Sequence, residues 1–95
     1  GLLGRAPEPR AGERVGQLLP LDDPRMEISK THAAFGVDES GFWIADRGST
    51  NGTEVRGPDG EPVTLPAGER TSLAWGARVE VGGRSFTVER AEVGA

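Results

Sequence analysis

Arg78-Val79-Glu80-Val81-Gly82-Gly83-Arg84-Ser85-Phe86-Thr87-Val88 is the stretch that decides the fold class. Charged and apolar residues alternate through Arg78–Val81, and polar and apolar residues alternate through Ser85–Val88. A period of two places the valines and the phenylalanine on one face of a strand. Gly82-Gly83 between the two runs is a two-residue turn of the kind that closes hairpins. The stretch therefore predicts a β-hairpin with one buried face.

Working outward, residues 31–37 and 42–45 predict a second hairpin around the polar turn 38–41. Residues 17–21, 62–65 and 70–74 predict further short strands. Asp22-Asp23-Pro24-Arg25 is a turn, since Asp and Pro both favour turn entry. Asn51-Gly52 is the strongest two-residue turn signal in the chain, and Gly57–Gly60 predicts another turn. Residues 6–16 (APEPRAGERVG) hold two prolines, two glycines and charges of both signs, and read as a loop. No segment sustains a 3.6-residue period. Many short strands at short intervals imply an all-β sandwich or barrel, in which loops at one end converge. One domain is expected over 1–90, with 91–95 as a frayed tail.

The 95 residues suffice for one modest core. An apolar share of 35% with 15 glycines suits turn-rich β structure rather than a helical bundle. There is no cysteine, hence no disulfide and no thiolate metal site, and one histidine without a second ligand beside it predicts no metal. No cofactor is expected. The net charge of −4 argues against nucleic acid as partner, because duplex binders present a basic face. No apolar run approaches the ~20 residues that span a bilayer, and no signal peptide is visible. Ten of the eleven basic residues are arginine, a bias that fits a GC-rich bacterial genome. The chain starts at Gly1 rather than Met, which reads as a piece of something longer.

Three segments carry the chemistry: Gly4-Arg5, Ser29-Lys30-Thr31-His32, and Asp46-Arg47-Gly48-Ser49-Thr50-Asn51-Gly52-Thr53. Together they offer a guanidinium, an ammonium, hydroxyls and a carboxamide, a donor set for a phosphate and for the peptide backbone beside it. Their order, Gly-Arg then Ser-x-x-His then Ser-x-Asn-Gly, resembles the forkhead-associated (FHA) domain, and Leu73–Gly82 resembles that family's closing segment. The resemblance implies an FHA-like β-sandwich that binds phosphothreonine peptides through loops at one end. Carried over by position, Arg5, Ser29, Lys30 and Thr50 would contact the phosphate, and Asn51 would hold the peptide backbone. Gly4, His32 and Gly52 would support the site. A Ser/Thr kinase would act upstream, and the setting would be cytoplasmic, with no membrane insertion by this domain.

Two departures from the family pattern stand out. Gly4-Arg5 lies almost at the start, so the family's first strand is expected to be missing or trimmed. The interval from Arg5 to Ser29 is long, with loop 6–16 as the insertion. Glu27, two residues before Ser29, predicts selection against acidic residues C-terminal to the phosphothreonine, and for Arg or Lys three positions on. Arg47 is a second candidate for peptide contact. The alternative is a phosphate-independent interaction or assembly domain of the same fold. Catalysis is not expected: neighbours such as Ser29 and Lys30 point apart on an extended chain, and no acid orients His32.

Overall fold

A computed structural model describes residues 1–39, 41–57 and 60–89. The described residues form nine strands and no helix. These are β1 (Leu2–Gly4), β2 (Leu18–Pro20), β3 (Ala33–Asp38), β4 (Gly41–Asp46), β5 (Thr53–Arg56), β6 (Val63–Thr64), β7 (Thr71–Leu73), β8 (Arg78–Val81) and β9 (Arg84–Thr87). They build a five-stranded sheet in the order β2-β1-β3-β4-β7 and a four-stranded sheet in the order β6-β5-β8-β9. Only β1 and β2 run parallel, with Leu2 opposite Leu18; the other pairs are antiparallel.

Both predicted hairpins form. β8 and β9 pair with Val79 opposite Phe86, and β3 and β4 pair with Phe35 opposite Ile44. The alternation does its expected work. Val79 and Val81 are buried while Arg78 and Glu80 are exposed; β5, which the sequence reading did not mark as a strand, alternates likewise, with Thr53 and Val55 buried and Glu54 and Arg56 exposed. Ile44, Ala33, Leu3, Ile28 and Leu65 join these valines in the core between the sheets. Each valine, leucine or isoleucine among them contributes about 1.5–3 kcal/mol on full burial. Phe35 and Phe42 stack at 6.1 Å and pack against this core from one side. Trp43 lies under the Arg70 guanidinium at 4.0 Å, and Trp75 sits 6.3 Å from Phe42. An apolar recess of about 480 Å³ opens between β9 and the first sheet, with Leu3, Leu19, Phe35, Phe42 and Phe86 among its lining residues.

Asn51-Gly52 turns the chain, but not within a hairpin: β4 before it and β5 after it belong to different sheets. The turn is a crossover at the end of the sandwich. Leu2–Gly4 is a strand that patterning does not mark, and it lies between β2 and β3 with Leu2 and Leu3 both buried. The centre of the Gly57–Gly60 turn, residue 40 of the 38–41 turn, and the expected tail at 91–95 fall outside the described residues.

Candidate functional site

The first of two site loops, residues 22–32, is shaped by Asp23. Its carboxylate accepts the Glu27 N–H at 2.9 Å and the Ile28 N–H at 2.8 Å, and its carbonyl accepts the Met26 N–H at 3.2 Å. Met26 adopts φ of 56°, a left-handed conformation uncommon outside glycine. Ile28 is buried and roots the loop in the core. Arg84 ties the far side of the loop to β9, donating to the Asp22 carbonyl at 2.8 Å.

β1 delivers Arg5 to this loop. The Arg5 N–H donates to the Ser29 carbonyl at 3.1 Å, and the Ala6 N–H to the Lys30 carbonyl at 3.0 Å. Gly4 is required for this approach: a Cβ there would stand 2.3 Å from the Lys30 carbonyl oxygen. Beyond β1 the Arg5 guanidinium makes no hydrogen bond or ion pair among the described residues.

The second site loop, residues 47–52, is organised by Asp46, which is 3% exposed. Its carboxylate accepts the Gly48 N–H at 2.9 Å, the Ser49 N–H at 3.0 Å, the Ser49 hydroxyl, and the Thr53 hydroxyl at 2.7 Å. Burial pushes this carboxyl up, but the hydrogen bonds from the Ser49 and Thr53 hydroxyls and the Ser49 N–H outweigh it, and the net position is below the ordinary carboxylate value. The Ser49 hydroxyl oxygen in turn accepts the Gly52 N–H at 2.9 Å. Gly52 has φ of +82°, which favours glycine at the turn.

His32 spans the two loops. It is fully buried; Nδ1 accepts the Ser29 N–H at 3.1 Å, and Nε2 donates to the Gly52 carbonyl at 2.7 Å. Those partners require the neutral ring with its proton on Nε2. Three further bonds join the loops directly, the first from the Arg47 N–H to the His32 carbonyl at 2.9 Å. The Thr50 N–H donates to Ser29 Oγ at 3.0 Å, and Asn51 Nδ2 donates to the Glu27 carbonyl at 2.8 Å. Ser29 Oγ is thereby held as an acceptor with its own hydrogen left to give. Asn51 keeps its carbonyl oxygen and one amide hydrogen for a ligand.

Arg5, Ser29, Lys30, Thr50 and Asn51 line one recess of about 240 Å³, together with Met26, Glu27 and Ile28. Glu27 also borders a second recess of about 380 Å³ next to it, shared with Asn51, Gly52, Glu54 and Glu80. Lys30 is paired with Glu8 at 2.9 Å. Arg47 is not among the residues that line the recess shared by Arg5 and Ser29; its guanidinium is bound by Glu13 at 2.9 and 3.1 Å. No cluster of His, Cys, Asp or Glu among the described residues could hold a metal ion. Asp23, Asp46 and Met26 are site residues that sequence reasoning passed over. The Asp46-x-x-Ser49 spacing, a carboxylate three residues before a hydroxyl, is the one local signal that could have pointed to the second loop's organiser.

The chain matches the family model of the FHA domain over residues 2–82 and belongs to that family. No curated protein and no solved structure matched it. FHA domains are recognition modules rather than catalysts, and the family generally binds phosphothreonine in partner proteins. No helix among the described residues is long and apolar enough to cross a membrane.

Proposed function

We propose that this domain binds a phosphothreonine-containing peptide and so couples a Ser/Thr kinase to a protein–protein interaction, between molecules or within its parent protein, in the cytoplasm. The observation that carries this is the convergence of three distant chain segments on one recess: a guanidinium with no partner among the described residues (Arg5), a hydroxyl with a hydrogen to give (Ser29), Lys30 and Thr50. A phosphothreonine carries about −1.5 to −2 charges at pH 7. Charge-assisted bonds to it are roughly twice as strong as neutral ones, so a domain of net charge −4 binds it through a locally positive recess. Asn51 then holds the peptide backbone beside the phosphate. Glu27, which lines both this recess and the one beside it, would favour Arg or Lys three positions after the phosphothreonine. A threonine methyl buried on Met26 or Ile28 would favour phosphothreonine over phosphoserine by ~0.8 kcal/mol, about fourfold.

The test is an amide chemical-shift titration with a phosphothreonine peptide and its unphosphorylated twin. Saturable shifts at Arg5, Ser29, Lys30, Thr50 and Asn51 with the phosphorylated peptide alone are expected. Loss of the Ser29 hydroxyl in Ser29→Ala should weaken binding roughly 10- to 100-fold, the range of one charge-assisted bond. No shifts at millimolar peptide would overturn the proposal. They would favour a phosphate-independent assembly role, for which the apolar recess beside β9, open among the described residues, is the supporting observation.

A further inference from the structure

The loop between β1 and β2 is fastened to both site loops by glutamates. Glu8 Oε2 lies 2.9 Å from Lys30 Nζ, with both side chains more than half exposed. The Glu8 backbone is held separately: its N–H donates to Thr31 Oγ1 at 2.9 Å. Five residues on, the Glu13 carboxylate takes both terminal nitrogens of Arg47 and also accepts the Arg10 N–H at 3.0 Å. The Arg47 guanidinium beside Glu13 holds that carboxyl down at about 2. Arg47 is largely covered, with 12% of its side chain exposed. The two fastenings thus differ in kind. Glu13–Arg47 is bidentate with its arginine largely covered, while Glu8–Lys30 is a single contact with both side chains open to water.

Resting on the phosphopeptide reading above, we propose that Glu8 is an internal anion that competes with the phosphate for Lys30 and so sets the affinity of the site. Lys30 lines the recess with Arg5 and Ser29, and its ammonium is a compact point charge with three donors. In the unliganded domain the Glu8 carboxylate holds it. A phosphomonoester brings more charge and three acceptor oxygens, and Arg5 and Ser29 reinforce its claim on the same place. Binding therefore exchanges one anion for another at Lys30, and the Glu8 side chain swings out to water. The loop itself stays, because its backbone is bound to Thr31 and its second glutamate to Arg47. Exposed ion pairs of this kind are worth little, which makes the contact releasable rather than a permanent block.

The experiment measures dissociation constants for one phosphothreonine peptide with the wild type, Glu8→Gln, Lys30→Met and the double variant. Glu8→Gln should tighten binding about two- to fivefold, the range of one exposed ion pair. The gain should vanish in the Lys30→Met background, which separates competition at Lys30 from a general loss of negative charge. The side-chain carboxyl carbon of Glu8 should also shift on binding in the wild type, while the Glu8 amide moves little. Unchanged or weaker binding by Glu8→Gln, or a gain that survives Lys30→Met, overturns the proposal while leaving the phosphopeptide reading intact. Phosphate-dependent binding by neither wild type nor Glu8→Gln overturns both.

Discussion

Replacing Asp46 by alanine should unlatch the second site loop and destabilise the whole domain. Asp46 is 3% exposed and accepts from two backbone amides and two hydroxyls. One donor, the Thr53 hydroxyl, is itself fully buried and has no water to turn to. Leaving such a group unsatisfied costs about 1–3 kcal/mol, and loss of the other bonds, whose donors water can reach, adds about 1 kcal/mol. A total near 3 kcal/mol lowers the melting temperature of a domain this size by roughly 12–24 °C. Thermal unfolding followed by circular dichroism measures this. The attribution is checked by Thr53→Val, which removes the stranded hydroxyl. If Thr53 is the main sufferer, the double variant loses about 1–2 kcal/mol less than the two single losses added together. Strict additivity, or a shift of under about 2 °C for Asp46→Ala, would refute the reasoning.

Acid should find the same carboxylates. The folded-state values of Asp46 and Glu13 lie below their ordinary values of 3.8 and 4.5, so their stabilisation is complete above those values and drains away as pH falls through the folded ones, about 2 for Glu13. Urea midpoints should therefore drop between pH 4.5 and 2, and Glu13→Gln should flatten the upper part of that slope; an unchanged slope would remove Glu13 from the account. His32→Ala strands the Ser29 N–H and the Gly52 carbonyl and opens a cavity. Urea denaturation should register a loss of roughly 3 kcal/mol, and a loss below about 1 kcal/mol would mean the ring does not hold the loops together. Gly4→Ala places a carbon 2.3 Å from the Lys30 carbonyl oxygen, so the backbones must part. Roughly 2 kcal/mol of stability should go, with amide shifts concentrated at residues 29–32; a silent substitution would contradict the close approach.

The strand pattern was legible where one face meets the core and the other meets water, as in Arg78–Val81, but β5 (Thr53–Arg56) alternates the same way over only four residues between two turn signals and was not read as a strand. β1 was not legible. It has three residues, too few for a period, and its neighbouring leucines are both buried, so no alternation exists to be read. Asn51-Gly52 was legible as a turn but not as a crossover, because a turn signal is local and the choice of sheet is not. The residues proposed to contact the phosphate could be named because they follow a family order. Asp46, Asp23 and Met26 could not, because an aspartate near a turn has many local uses and a left-handed methionine leaves no mark in sequence. Loop 6–16 was legible as a loop, but nothing in its composition said that its glutamates would meet Lys30 and Arg47.

The placement of β1 has a consequence for cutting the chain. It sits between two hydrogen-bonded neighbours, yet its covalent link to them runs through the stretch 6–16, exposed except at Pro7 and Val15. A protease nick there would leave Leu2–Gly4 paired on both edges and Arg5 still beside Ser29, now as a separate peptide. The domain is thus divisible into a short piece that carries the guanidinium and a large piece that carries the hydroxyls and the amide. Recombining the two would give fragment complementation in which the short peptide supplies Arg5 in trans.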